Sequence, residues 1–159
     1  MDNILVVQPE KCTGCHTCEL TCSFTKTGEF NPELSRISVL TYDKVGLAVP
    51  MVCQQCGVAA CMMVCPVGAI TKNSATGAME VHDSKCIGCK MCTIACPFGA
   101  IHYHAVNNIV SKCDLCFGDP ACVKLCPSGA ISFVEANTGS LSKRKAFAAK
   151  FKNLFEEVG

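Results

Sequence analysis

The sequence predicts an α+β protein built by duplication, with two small lobes that reuse one supersecondary unit and a helix at the C-terminal end. Three observations carry this. Sixteen cysteines in 159 residues fall into four runs of four. Three runs close on the same pattern, C-P-x-G-A-I, at 65–70, 96–101 and 126–131. After Glu135 the composition shifts to a basic segment with periodic apolar residues. Internal repetition on this scale marks one structural unit used several times.

Composition narrows the function classes. Fourteen basic residues against thirteen acidic ones give a net charge of +1, so nothing argues for a nucleic-acid partner. The first ten residues lack a basic start and hold only a four-residue apolar run, Ile4 to Val7, unlike a signal peptide. No apolar stretch approaches the roughly 18 residues that span a bilayer. The expected setting is therefore cytoplasmic and reducing, where dense cysteine serves as metal ligand in preference to disulfide. With no tryptophan and 6% aromatic residues, something other than large side chains must fill the interior.

Taken in order, Asn3 to Gln8 reads as a short strand ended by Pro9. The first run follows, Cys12, Cys15, Cys18 and Cys22, spaced C-x2-C-x2-C-x3-C but continuing into Ser23-Phe24 without a proline, so the chain stays helical or turns differently. The insertion from Thr25 to Pro50 carries a turn signal at Asn31-Pro32. Within it, Arg36 to Leu40 and Leu47 to Val49 read as a hairpin around Asp43 to Gly46. The second run is Cys53, Cys56, Cys61 and Cys65 before Pro66, looser between its second and third cysteines. The third is Cys86, Cys89, Cys92 and Cys96 before Pro97. The fourth is Cys113, Cys116, Cys122 and Cys126 before Pro127. The wider gaps hold small or turn-forming residues, Gly57 and Ala59 in one and Gly118, Asp119 and Pro120 in the other. Ala136 to Ser140 reads as a linker. Phe147, Phe151, Leu154, Phe155 and Val158 then share one helical face, with Ser140 or Ser142 as cap.

The third run, C-x2-C-x2-C-x3-C-P, resembles the bacterial ferredoxin motif for a [4Fe–4S] cluster, in which the fourth cysteine serves the other cluster of a pair. Three closely spaced thiolates face one cube. The fourth lies about one helical turn on, and the proline ends the helix. One run thus implies a partner run. Four runs use all sixteen cysteines, which gives four [4Fe–4S] clusters with no thiol left over. Tetrahedral zinc is the competing reading of paired C-x2-C elements, but a three-residue gap followed by proline is not the usual zinc spacing. Because such sites do not preform, the apoprotein is expected to be largely unfolded.

From Lys11 to Phe133 the chain resembles the four-cluster ferredoxin-type electron-transfer subunits of molybdenum and tungsten oxidoreductases, the type found with dimethyl sulfoxide reductase and formate dehydrogenase. Lys112-Cys113-Asp114-Leu115-Cys116 and Pro120-Ala121-Cys122-Val123 carry that likeness beyond cysteine spacing. Cys22-Ser23-Phe24, Gly28 to Pro32 and Ser35-Arg36-Ile37 resemble the short members that accompany tungsten aldehyde oxidoreductases. The chain lacks the long insertions of the respiratory subunits, and Gly57 to Ala60 lacks their proline.

The resemblance implies ligand sets. One lobe (1–30 plus 105–135) would hold Cys12, Cys15 and Cys18 with Cys126, and Cys113, Cys116 and Cys122 with Cys22. The other (53–104) would hold Cys53, Cys56 and Cys61 with Cys96, and Cys86, Cys89 and Cys92 with Cys65. The hairpin insertion would occupy 31–52, and the linker with its amphipathic helix 136–159. Spacing alone leaves the other pairing open, run one with two and run three with four. The implied function is a one-electron wire serving a large tungsten or molybdenum pterin subunit, with an aldehyde oxidoreductase the first expectation. A hydrogenase or carbon monoxide dehydrogenase partner, a free polyferredoxin shuttle and a zinc-stabilised scaffold are the alternatives. No dinucleotide fingerprint, P-loop or C-x3-C-x2-C triplet points to a catalytic site of the chain's own.

Several residues carry two readings. Lys11, Lys85 and Lys112 precede the first cysteine of three runs and either shield a cluster, meet a partner or are simply solvated. His16 is either a surface histidine, a hydrogen-bond donor to sulfur or a residue on the electron exit path. His102 and His104 read as strand residues, and Met62, Met63 and Met91 as filler packed against clusters. The terminal helix either folds back or docks on the catalytic subunit or another copy of the chain.

Overall fold

Strand β1 (Asn3–Val7) runs antiparallel to the last strand, β8 (Ile131–Glu135), with Asn3 opposite Glu135 and Val7 opposite Ile131. The computed structural model describes residues 3–137, so the expected terminal helix lies outside the described residues. Helix α1 (Thr17–Thr27) carries the last two cysteines of run one, Cys18 and Cys22. With no proline after Cys22 it extends for 11 residues and stops at Gly28, whose φ of 78° and N–H bond to the Phe24 carbonyl make a left-handed C-cap. In the other three runs the proline limits the helix to one turn: α2 (Ala60–Met63), α3 (Met91–Ala95) and α4 (Ala121–Lys124).

The insertion forms the predicted hairpin, β2 (Ser38–Tyr42) against β3 (Leu47–Met51), turned by a 3-10 segment at Asp43–Val45. Its Ile37, Val39 and Ala48 are buried with Leu5, Cys18, Cys22, Leu115, Cys122 and Ile131 in a first core. Two further hairpins follow, β4 (Ile70–Lys72) with β5 (Met79–Val81), and β6 (Ile101–His104) with β7 (Ile109–Lys112). Ile70, Cys92, Ile101 and Val110 form a second, smaller core. The β6–β7 hairpin spans positions 104 and 105, joining the two stretches that the sequence divides there. Cysteine contributes to both cores, as a chain poor in large apolar side chains requires. No helix among the described residues is long and apolar enough to cross a membrane.

Candidate metal centres

The repeated C-P-x-G-A-I pattern folds into the same turn three times. Gly68, Gly99 and Gly129 each donate an N–H to the carbonyl of the cysteine three residues earlier, at 3.3 Å. All three adopt positive φ, between 60° and 64°, which a glycine takes without steric cost. The turn aims backbone N–H groups at the cysteine sulfur, and Ala69 N lies 3.2 Å from Cys65 Sγ. Burial works to raise the Cys65 thiol, but the N–H groups of Ala69, Val67, Ile70 and Gly68 together hold it below the usual thiol value. Cys126 behaves alike, with burial opposed by Ile131, the Ser128 hydroxyl and Ala130. Run one lacks this turn, and the insertion replaces it: Arg36 N donates to Cys22 Sγ at 3.3 Å.

A second backbone feature recurs in all four runs. The residue before the second cysteine has positive φ: Gly14 at 67°, Gln55 at 47°, Gly88 at 66° and Leu115 at 58°. This folds the loop tightly enough for its first three cysteines to face one side. At Gly88 the requirement is also steric, because a Cβ would overlap the carbonyl and side-chain oxygens of Asn108.

The structure gathers the cysteines into four cavities. Site I is lined by Cys12, Cys15, Cys18 and Cys126. Site II is lined by Cys22, Cys113, Cys116 and Cys122. Site III holds Cys53, Cys56, Cys61 and Cys96, and site IV Cys65, Cys86, Cys89 and Cys92. Each brings three cysteines of one run to the fourth of another, with run one crossing run four and run two crossing run three. All sixteen are unbridged. Counting their open mouths, the cavities measure about 380 Å³ at sites II and III, 290 Å³ at site I and 280 Å³ at site IV. One water takes about 30 Å³, so each cavity suits a multi-atom inorganic group. Among the described residues no three His, Cys, Asp or Glu side chains converge on a single-ion site. Four soft sulfur donors around such a volume fit an iron–sulfur cube.

The sites form a series. Helix α1 carries Cys18 of site I and Cys22 of site II, and packs on α4. Helix α2 packs on α3, bringing run two to run three. Run two meets run four where Gln55, beside Cys56 of site III, donates from Nε2 to the carbonyl of Cys113 of site II at 2.9 Å. The sequence is therefore I, II, III, IV. Cys15 at one end and Cys89 at the other are exposed, and every cysteine of the inner sites is buried or partly buried. Burial, with Glu19 adding to it, pushes Cys18 up to about 12, and burial does the same for Cys113. Without metal these thiols stay protonated, so loading must release protons.

Neighbouring residues depart from several expectations. Met62, Met63 and Met91 are 36%, 70% and 51% exposed and do not line the cavities, because their one-turn helices turn the cysteine face inward. Met79, which is 1% exposed, lines site III instead. His16 lies at the edge of site I, with Nδ1 2.6 Å from Glu19 Oε2, and Glu19 accepts from Val39 N. His102 and His104 lie on β6, where burial chiefly and His104 secondarily hold His102 below its usual value. Lys11 and Lys85 are exposed and Lys112 is buried. Asp114, between two cysteines of run four, stood in the sequence only as part of a family-like stretch and was given no role; it accepts from Cys116 N at 3.0 Å and pairs with Lys26 at 2.8 Å and Arg36 at 2.7 Å. A carboxylate inside a cysteine run was the available signal.

Comparison with known proteins agrees with this donor chemistry. A 4Fe-4S dicluster domain matches residues 45–136, and a 4Fe-4S binding domain matches residues 9–26. The chain belongs to the 4Fe-4S dicluster domain family. It is 40% identical over 115 residues to the polyferredoxin-like subunit of an aliphatic sulfonate oxidoreductase from Pyrococcus furiosus, covering 72% of this chain and 66% of that protein. An iron-sulfur protein of Rhodospirillum rubrum is 35% identical over 132 residues, covering 71% and 67%. Formate hydrogenlyase subunit 2 of Escherichia coli is 40% identical over 103 residues, covering 65% and 49%. The matched part thus spans about half to two thirds of these relatives' length. Among solved structures, the active site complex BamBC of benzoyl coenzyme A reductase with 1,5-dienoyl-CoA aligns with a TM-score of 0.50 at 25% identity, over 83% of this chain and 75% of the other.

Proposed function

We propose that the chain is an electron-transfer subunit that carries four [4Fe–4S] clusters, one in each of sites I to IV, with the four cysteines lining each cavity as its ligands. The observation that carries this reading is the collection of all sixteen cysteines into four sets of four, three from one run and one from its partner. When bound, the clusters supply one-electron chemistry and, with every iron held by cysteine, no open position for substrate.

The chain's own residues do the rest. Backbone N–H groups aimed at Cys65, Cys126 and Cys22 stabilise negative charge on sulfur. Buried Cys22, Cys53 and Cys122 keep water from the inner sites, while exposed Cys15 and Cys89 mark the two ends where electrons enter and leave. The two lobes are taken as 1–30 with 105–135, and 53–104. They meet where site II adjoins site III.

The partner is a large catalytic subunit of the tungsten or molybdenum pterin type, with an aldehyde oxidoreductase first on the strength of the resemblance in Cys22-Ser23-Phe24 to Ile37. A relative named as a subunit of an aliphatic sulfonate oxidoreductase and the likeness to a benzoyl coenzyme A reductase complex support an oxidoreductase partner in general. Similarity to formate hydrogenlyase subunit 2 and hydrogenase-4 component A favours a hydrogenase-type partner as the second reading. Anaerobic purification of the tagged chain from its native cell, with identification of what accompanies it, is the test. A large pterin-containing subunit is expected. A brown protein that runs alone would overturn the subunit role in favour of a diffusing shuttle.

A further inference from the structure

Lys112 is 2% exposed, although nothing in its position before a cysteine run demands burial. Its Nζ donates to the carbonyls of Met79 and Cys113, the latter at 2.9 Å. Among the described residues it has no carboxylate partner. Two carbonyl dipoles do not neutralise an ammonium, and burying an unmatched charge carries a large solvation penalty. A counter-charge is therefore required nearby.

Two lie beside it. Lys112 lines site III and directly precedes Cys113 of site II, so it stands at the step between the two inner sites. Gln55 of run two grips the same two residues, donating from Nε2 to Cys113 O at 2.9 Å and accepting at Oε1 from Met79 N at 2.8 Å. This bracing fixes the ammonium where the two halves meet. A cube with four thiolates carries about −2, so four of them turn the chain's +1 into roughly −7. Lys11 and Lys85 precede their runs in the same way and are solvated instead.

We propose that Lys112 is a positioning residue for the electron, its buried ammonium raising the reduction potentials of the clusters in sites II and III and so favouring occupancy of the two inner sites. The inference rests on the cluster reading above. A fixed positive charge favours the more negative, reduced state of its neighbours. As one electron passes, one cluster is oxidised and the next reduced; no bond or proton is involved.

The test is an EPR-monitored redox titration of anaerobically purified holoprotein, with iron and labile sulfide measured first so that failure of the cluster reading shows separately. Lys112→Met is expected to weaken the electron affinity of two clusters at least tenfold, about 59 mV each for a one-electron couple. Lys112→Arg should restore most of it, and Lys11→Met and Lys85→Met should not produce it. Lys112→Gln, which keeps a donor to the carbonyls, replaces Lys112→Met if that variant fails to assemble. Should both neutral variants lose iron, Lys112 serves assembly and the proposal is overturned. Full iron with potentials unchanged in a neutral variant overturns it equally.

Discussion

Asp114→Asn is expected to speed cluster loss sharply while leaving every cysteine in place. Asp114 joins three separate stretches around site II: it caps Cys116 N in run four, and it pairs with Lys26 on α1 and Arg36 in the insertion. The two cation side chains are 10% and 23% exposed and the carboxylate 14%, so water screens the pairs only in part. Hydrogen bonds to charged groups contribute about 1.5–3 kcal/mol each, and breaking a buried pair from one side costs about 3–5 kcal/mol. The two pairs share one carboxylate and the amide oxygen of Asn retains part of each, so about 3 kcal/mol is expected, roughly a hundredfold in an equilibrium constant. Because the loss of clusters is irreversible, the readout is a rate, the bleaching of visible absorbance under chelator. A 10- to 100-fold acceleration at neutral pH is expected, on the order of that equilibrium change. Burial opposes ionisation of Asp114, but Lys26, Arg36 and Cys116 N outweigh it and hold the carboxyl below its ordinary 3.8. A lowered folded value means that its contribution is full above 3.8 and is lost as pH falls through the folded value. The difference between wild type and variant should therefore shrink only below that pH. Equal bleaching rates at neutral pH would show that Asp114 does not brace site II.

Three further outcomes are expected. Both glycines have positive φ, so alanine costs about 1–2 kcal/mol at either; Gly88→Ala adds a Cβ overlap with Asn108 and should lose about one cluster's iron, whereas Gly99→Ala, with open space around it, should keep most of its iron; iron analysis of both decides. Cys126→Ser should alter the same EPR signal as Cys15→Ser; matching Cys89→Ser instead would support the other pairing. Deleting residues 141–159 should leave iron content intact and weaken assembly with the catalytic partner, and an unchanged complex on size exclusion would refute a docking role for that segment.

Much of the fold was legible because cysteine spacing and proline position act locally. A proline after the fourth cysteine ends a helix wherever the chain lies, and its absence after Cys22 lets α1 continue. The insertion hairpin was readable from alternation around Asp43 to Gly46. The choice between run pairings was not, since both satisfy the same spacing and only packing of α1 on α4 and α2 on α3 separates them. Lysine at one repeated position gave no sign that Lys112 would be buried and Lys11 and Lys85 exposed, because that depends on Gln55 and Met79 arriving from elsewhere. Nor did spacing reveal that Arg36 N would supply the N–H bond that run one lacks. The methionines were misjudged for a related reason: adjacency to cysteine in sequence does not choose the inward face of a one-turn helix.

Native mass spectrometry of the anaerobically purified chain is the most direct test of four-cube loading. A mass increment of four Fe4S4 units is expected, about 16 iron and 16 sulfide per chain, with no cysteine open to alkylation. A chain holding zinc, fewer cubes, or a cysteine that alkylates in the native state would contradict it.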